Sequence, residues 1–171
     1  LVMGAPVTLA LKSLPTKSAR LVMTFLKSRV FHFISHPFTA LLLNIGGMFI
    51  LYLTPIYNAS FSNAVLHHLI HIHFLAAGYL FTWSIIGPDP APRRPGLITR
   101  GIFLFLSMAA HAYLSKFMYA YLYPRNSIHT GEDIRGAAKF MYYGGDFSEL
   151  IVVILLFFIW YKKMHKFSKN R

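Results

Sequence analysis

The sequence predicts an all-α protein, a polytopic transmembrane helical bundle of four spans preceded by an amphipathic interfacial helix. The 171 residues are 56% hydrophobic and only 13% charged, with a mean hydropathy of +0.50, whereas a soluble domain carries about 25% charged residues. No Asp, Glu, Lys or Arg occurs between Pro37 and Pro88, a stretch long enough to cross a bilayer twice. We therefore predict a single membrane domain over residues 1–171.

Prolines separate four apolar segments of spanning length. Pro55, the proline-rich segment 88–95 and Pro124 mark the breaks, because proline cannot continue a helix. Residues 18–33 place basic side chains among apolar ones at helical spacing, which is typical of a helix lying at the membrane interface. The predicted spans are residues 38–57, 61–86, 97–122 and 136–161.

Basic and non-basic loops alternate along the chain. Residues 12–36, the 87–100 loop and the tail are rich in Lys and Arg, whereas the 54–63 loop is uncharged and the 123–135 loop balances acidic with basic residues. Because basic loops stay in the cytoplasm, we expect a multi-pass protein of the cell (inner) membrane with both ends of this fragment cytoplasmic. The net charge of +12 then reflects membrane orientation, and no nucleic acid is expected as a partner.

The second predicted span carries a cluster of histidines. Ionisable side chains at membrane depth are costly and usually mark an ion, proton or metal site, and histidine is the commonest metal ligand. His67 and His71 are four residues apart and share one helix face, and His68 is three residues before His71. His73 points to the opposite side, where a structural role is expected.

Two further ionisable residues fall at a similar predicted depth. His71, His111 and Asp146 each lie ten or eleven residues from the predicted outer end of a span, or about 15 Å along it. The chain has no cysteine, so a soft metal would need His, Met and carboxylate ligands. The predicted metal ligands are His67, His71, His111 and Asp146, with His68 and Met108 as additional candidates.

Metal binding is one of three chemistries that these residues allow. His71 and His111 on different spans could instead ligate a haem, as in a b-type membrane cytochrome. A layer of His and Asp could also relay protons in a proton-coupled transporter. Neither alternative is excluded by the residues alone.

Eight short motifs are distributed along nearly the whole chain. They are G-A-P-V-T-L at 4–9, S-H-P-F-T-A-L-L-L at 35–43, H-H-L-I-H-I-H-F-L-A-A-G-Y-L-F-T-W at 67–83, G-P-D-P-A-P-R-R at 87–94, A-A-H-A at 109–112, L-Y-P at 122–124, E-D-I-R-G at 132–136 and G-G-D at 144–146. In order and spacing these motifs resemble the polytopic CtaG family of cytochrome c oxidase assembly factors, which are associated with caa-type haem-copper oxidases.

The resemblance implies a bacterial membrane chaperone, not an enzyme, that binds copper and helps to metallate the oxidase. Its expected partners are haem-copper oxidase subunits and the lipid bilayer. By position, the polar family residues correspond to His67, His71, His111, Asp133 and Asp146. The family also has a histidine-bearing helix upstream, so we expect this chain to lack an N-terminal part. A purely structural oxidase-binding subunit is the alternative within the family.

Overall fold

The structure is a computed structural model that describes residues 4, 6–87 and 95–169. Every regular element in these residues is helical, which confirms the predicted helical membrane bundle. Three helices are long and apolar enough to cross a membrane, and a bent pair supplies a fourth such segment. The elements are α1 (Pro6–Ser13), α2 (Thr16–Leu26), α3 (Arg29–Ile34), α4 (Pro37–Leu41), a π-helical segment (Leu42–Gly46), α5 (Gly47–Leu53), α6 (Ile56–Ser62), α7 (Ala64–Ile86), α8 (Leu97–Tyr121) and α9 (Gly131–Lys169).

The segment predicted as one interfacial helix over residues 18–33 forms two helices, α2 and α3. Ser28 lies between them with an extended backbone, and its hydroxyl accepts a hydrogen bond from the amide of Phe31 at 3.1 Å. A serine in this position is an N-cap, which satisfies a free amide at the start of a new helix. The chain therefore changes direction at Ser28.

The first predicted span, residues 38–57, ends earlier than expected. The helix α4, the π segment and α5 follow one another without a break over Pro37–Leu53. At its end the hydroxyl of Thr54 donates to the carbonyl of Ile50 at 2.6 Å, and Pro55 follows. The chain then bends by 75° into the short helix α6, so residues 56–62 do not continue the span.

The second and fourth spans also begin at capping residues. Asn63 accepts a hydrogen bond from the amide of Leu66 at 3.0 Å, so α7 begins at Ala64, three residues after the predicted start. Thr130 and Asp133 bond reciprocally, side chain to amide, at 3.1 and 3.2 Å. This capping box starts α9 at Gly131, five residues before the predicted start.

Two hydrophobic clusters hold the helices together. The first surrounds Trp83 and packs α4, α7, α8 and α9 against one another. The second contains Leu114, Met118 and Ala138, and it joins α5 to α8 and α9. Both clusters include residues of α8 and α9, and these two helices make the most extensive contact in the described part of the bundle. The side chains packed around the second cluster are Met48, Phe49, Tyr52, Tyr123 and Met141.

The two loops without excess basic charge lie at the same end of the bundle. The Asn58 amide donates to the carbonyl of Arg125 at 2.8 Å, and the rings of Phe61 and His129 have centroids 5.6 Å apart. Towards the other end, the guanidinium of Arg100 donates to the carbonyl of Ile85 at 2.7 Å. Three charged residues of the 87–100 loop, Asp89, Arg93 and Arg94, lie outside the described residues.

The alternation of loop charge predicts which end of the bundle is outside. Because the chain has no native cysteine, single cysteines report their own accessibility. We expect a cysteine at Ser127 to react with a membrane-impermeant thiol reagent in intact cells and one at Ser168 to react only after lysis. Labelling of position 168 in intact cells, with position 127 protected, would reverse the orientation.

Candidate functional site

The first part of the candidate site is a pair of histidines on one face of α7. The Nε2 atoms of His67 and His71 lie 3.1 Å apart, and their ring centroids are 4.6 Å apart. Both side chains are exposed. Two nitrogens at this separation, each about 2.0–2.1 Å from one metal ion, would subtend an angle of roughly 100° at the metal. The pair could thus supply two ligands to one ion with little rearrangement.

The pair opens onto a cavity of about 400 Å³, which we call the histidine-pair cavity. Helices α5, α6 and α7 form its walls, and its lining is mostly aromatic and apolar. Because α6 contributes to it, the cavity lies toward the end of the bundle that carries the uncharged loop. Besides the two histidines, the lining residues are Met48, Leu51, Tyr52, Tyr57, Ser60, Phe61, Ile70 and Phe74.

The other two histidines of α7 have different surroundings. The His68 ring contacts that of His67 edge-on with centroids 5.9 Å apart and is exposed. His73 Nε2 donates to the carbonyl of Leu43 in the π segment at 3.0 Å. A Cβ added to Gly47 would lie 2.7 Å from that nitrogen, so a glycine at this position leaves room for the imidazole ring. His73 therefore joins two helices, as expected of a structural histidine.

A second cavity, which we call the His111 cavity, lies between the π segment, α5, α7, α8 and α9. It has a volume of about 270 Å³ and is lined by Asn44, Thr82, Ser107, His111 and Glu149, among apolar side chains. His111 is only 6% exposed. Its Nδ1 atom and the Oε2 atom of Glu149 are buried without a hydrogen-bond partner.

A glycine on α9 makes room for His111. A Cβ built on Gly145 would collide with the imidazole ring, whereas a Cβ on Gly144 would meet nothing within 4 Å. Of the two adjacent glycines in the G-G-D motif, only Gly145 is needed for the close approach of α8 and α9. Asp146, the next residue, lies close enough to His111 to interact with it electrostatically.

The four predicted ligands are distributed over two places and do not form one group. His67 and His71 line the histidine-pair cavity and His111 lines the His111 cavity, whereas Asp146 lines neither, although it interacts electrostatically with His111. Within the described residues, no three His, Cys, Asp or Glu side chains are arranged to hold one metal ion. His111 shares its cavity with Gly78 and Thr82, which lie about two to three turns beyond His71 on α7, so this cavity lies further along α7 than the histidine pair.

The arrangement of the two cavities also bears on Met108, the other additional ligand candidate, and on haem ligation. Met108 packs against the first hydrophobic cluster and lines neither of the two cavities. His71 and His111 line different cavities, and the two rings therefore do not face each other across one space, as two axial haem ligands would.

Glu149 and Asn44 were not among the predicted site residues, but both line the His111 cavity. Glu149 is a carboxylate three residues after Asp146, within a predicted span. Ionisable side chains are rare at membrane depth, so its presence there already indicated a functional residue. Asn44 lies in the π segment, and π-helical turns are frequent at functional sites. Ser107 and His111 are four residues apart on α8, a spacing that places both on the side facing this cavity.

The fold and the two cavities define a multi-pass helical membrane protein with imidazole and carboxylate groups inside the bundle. The chain belongs to the cytochrome c oxidase caa3 assembly factor family (Caa3_CtaG), whose model matches residues 1–163. The family resemblance carried by the sequence motifs is therefore confirmed.

Three mycobacterial proteins are similar to part of the chain. A stretch of 120 residues is 44% identical to uncharacterized proteins of Mycobacterium bovis and Mycobacterium tuberculosis, and 41% identical to one of Mycobacterium leprae. The match covers 66% of this chain but only 18% of each relative. No solved structure matches the chain significantly.

The contact between Gly145 and His111 predicts different effects for two adjacent substitutions. Gly145→Ala should force the His111 ring away or separate α8 from α9, and overpacking of this kind costs about 1–3 kcal/mol. We expect a lower thermal unfolding midpoint in detergent for this variant. Gly144→Ala is the matched control, because its methyl group points into open space, and it should unfold like the wild type. Equal midpoints for the two variants would contradict the contact.

Proposed function

We propose that this protein binds copper at an outward-facing site in the membrane and helps to metallate a haem-copper cytochrome c oxidase. Family membership supports the role in oxidase assembly. The observation that carries the copper assignment is the histidine pair, whose Nε2 atoms lie 3.1 Å apart on an open cavity. In this role the protein carries a metal ion to its partner and does not act as an enzyme.

An incomplete set of ligands suits a carrier. A structural metal site closes four ligands around its ion, whereas His67 and His71 provide two ligands and are exposed. The remaining coordination positions are free for ligands of the recipient oxidase. A metal ion can then leave by exchange of one ligand at a time, without ever being released into water.

The donor atoms around the pair favour copper over zinc. The chain has no cysteine, so thioether sulfur is the softest available donor, and Met48 lines the same cavity as the two histidines. Imidazole together with thioether suits Cu(I). These ligands are neutral, so a site built from them adds no anionic side chain to the membrane.

The position of the cavity fits delivery on the outer side of the membrane. Helix α6, which forms one wall, belongs to the uncharged 54–63 loop, and loops without basic residues lie outside. The recipients would be copper centres of the oxidase that face this side. His111 and Asp146 do not line this cavity, so we assign the first binding of copper to His67 and His71.

Removal of His71 should separate copper delivery from folding. In a His71→Ala variant, α7 remains apolar and is expected to insert and accumulate normally, while the chelating pair is lost. We expect the partner oxidase from these cells to contain several-fold less copper and to have correspondingly low activity. Excess copper in the medium should restore part of it by mass action. Metal analysis of the purified oxidase measures the effect.

His68→Ala is the matched control for this experiment. His68 is an exposed neighbour on the same helix, but it does not share the 3.1 Å contact of the pair. Its replacement should leave the copper content of the oxidase unchanged. A fully metallated and active oxidase in His71→Ala cells at limiting copper would disprove the delivery function. A Soret band in the purified protein would instead identify it as a cytochrome.

A further inference from the structure

The His111 cavity contains buried polar atoms that a copper site at His67 and His71 would leave without a partner. His111 Nδ1 and Glu149 Oε2 are both buried and without a hydrogen-bond partner, and both residues line this cavity. Native proteins seldom leave such groups unpaired, because desolvation costs free energy that no contact returns. The cost is greater for a carboxylate at membrane depth. A ligand between α8 and α9 would remove this cost.

Met48 connects this cavity with the histidine pair. Its side chain lines the His111 cavity and also the histidine-pair cavity, and it is the residue that the two linings have in common. Methionine is unbranched and flexible, with three rotatable side-chain bonds and a polarizable sulfur. Its thioether can therefore reach toward either cavity by rotation of its own side chain.

We propose that the His111 cavity is a second copper position and that Met48 transfers the ion between the two cavities. In this position, Cu(I) is bound by His111 Nδ1 and Met48 Sδ. The carboxylate of Glu149 lies beside the ion and balances its charge. The inference rests on the proposed copper function and extends it from capture at the surface to storage inside the bundle.

The chemistry of the donors supports this assignment. Imidazole and thioether are ligands that Cu(I) accepts, and a single positive charge is compensated by one carboxylate. Ser107, which is 1% exposed, lies within hydrogen-bonding reach of the Glu149 carboxyl group and would hold it in place. Gly145 fixes the ring of His111 by leaving room for it. The imidazole and the carboxylate are thus both held in place, whereas the Met48 side chain is free to rotate.

Transfer through Met48 requires only ligand exchange. The bond between copper and the Met48 sulfur persists while the bonds to the imidazoles of His67 and His71 break and a bond to His111 Nδ1 forms. The ion remains Cu(I) throughout, so no oxidant or reductant takes part. A shared ligand of this kind allows the ion to pass between the cavities without entering lipid or bulk water.

The test uses the full-length protein in detergent, loaded with Cu(I) under anaerobic conditions. In a His67→Ala/His71→Ala double variant, we expect one copper ion per chain to remain bound, with sulfur among its nearest neighbours in X-ray absorption spectra. Adding Met48→Leu to this background should abolish the sulfur signal and most of the binding. Adding Glu149→Gln instead should weaken the affinity for Cu(I) about tenfold, a typical effect of removing a group that supports a metal ligand.

Met141→Leu on the same background is the matched control. Met141 packs in the same hydrophobic cluster as Met48 but lines a different cavity, near the outer loops. Leucine conserves the volume of methionine, so both variants should fold, and only Met48→Leu should change copper binding. The inference is overturned if the double variant binds no copper, binds it without sulfur, or responds equally to both methionine substitutions. These outcomes leave the oxidase test of His71→Ala unaffected, so the two proposals can fail separately.

Discussion

The close approach of the helices in this bundle depends on two histidines, each of which fits against a glycine of a neighbouring helix. His73 of α7 donates to the carbonyl of Leu43 in the π segment at 3.0 Å, and Gly47 leaves space for its ring. His111 of α8 occupies the space that Gly145 leaves on α9. In both places one glycine sets the approach of two helices and the position of a polar side chain. Packing and site geometry therefore depend on the same residues.

The histidines of the two cavities differ in their exposure, and this difference suits the two copper positions that we propose. His67 and His71 are exposed at the end of the bundle that carries the uncharged loop. Such a surface can exchange ligands with a partner. His111 is buried, and the carboxylate of Glu149 lines the same cavity. The proposed function uses both properties, because a carried copper ion must be held before delivery and released during it.

Several helix ends are set by local capping side chains, which the hydropathy pattern does not reveal. The breaks at Ser28 and Asn63 and the early start of α9 at Gly131 all follow from capping side chains. Hydropathy alone places span ends only approximately, because it averages over many residues, whereas a cap acts at a single one. These shifts of three to five residues move the outer ends of α7 and α9, from which the depths of His71 and Asp146 were predicted. Helix α8, which carries His111, ends at Tyr121, one residue from its predicted end.

The sequence by itself determined the helical membrane bundle, its spans to within a few residues, the family, and the shared face of His67 and His71. Each of these depends on composition or on spacing within one helix, which the chain order fixes directly. Only the tertiary structure decided that Gly145, and not Gly144, contacts His111, that Glu149 lines the cavity of His111, and that Met48 lies between two cavities. These features depend on the relative rotation and depth of separate helices, which are set by packing between residues far apart in the chain.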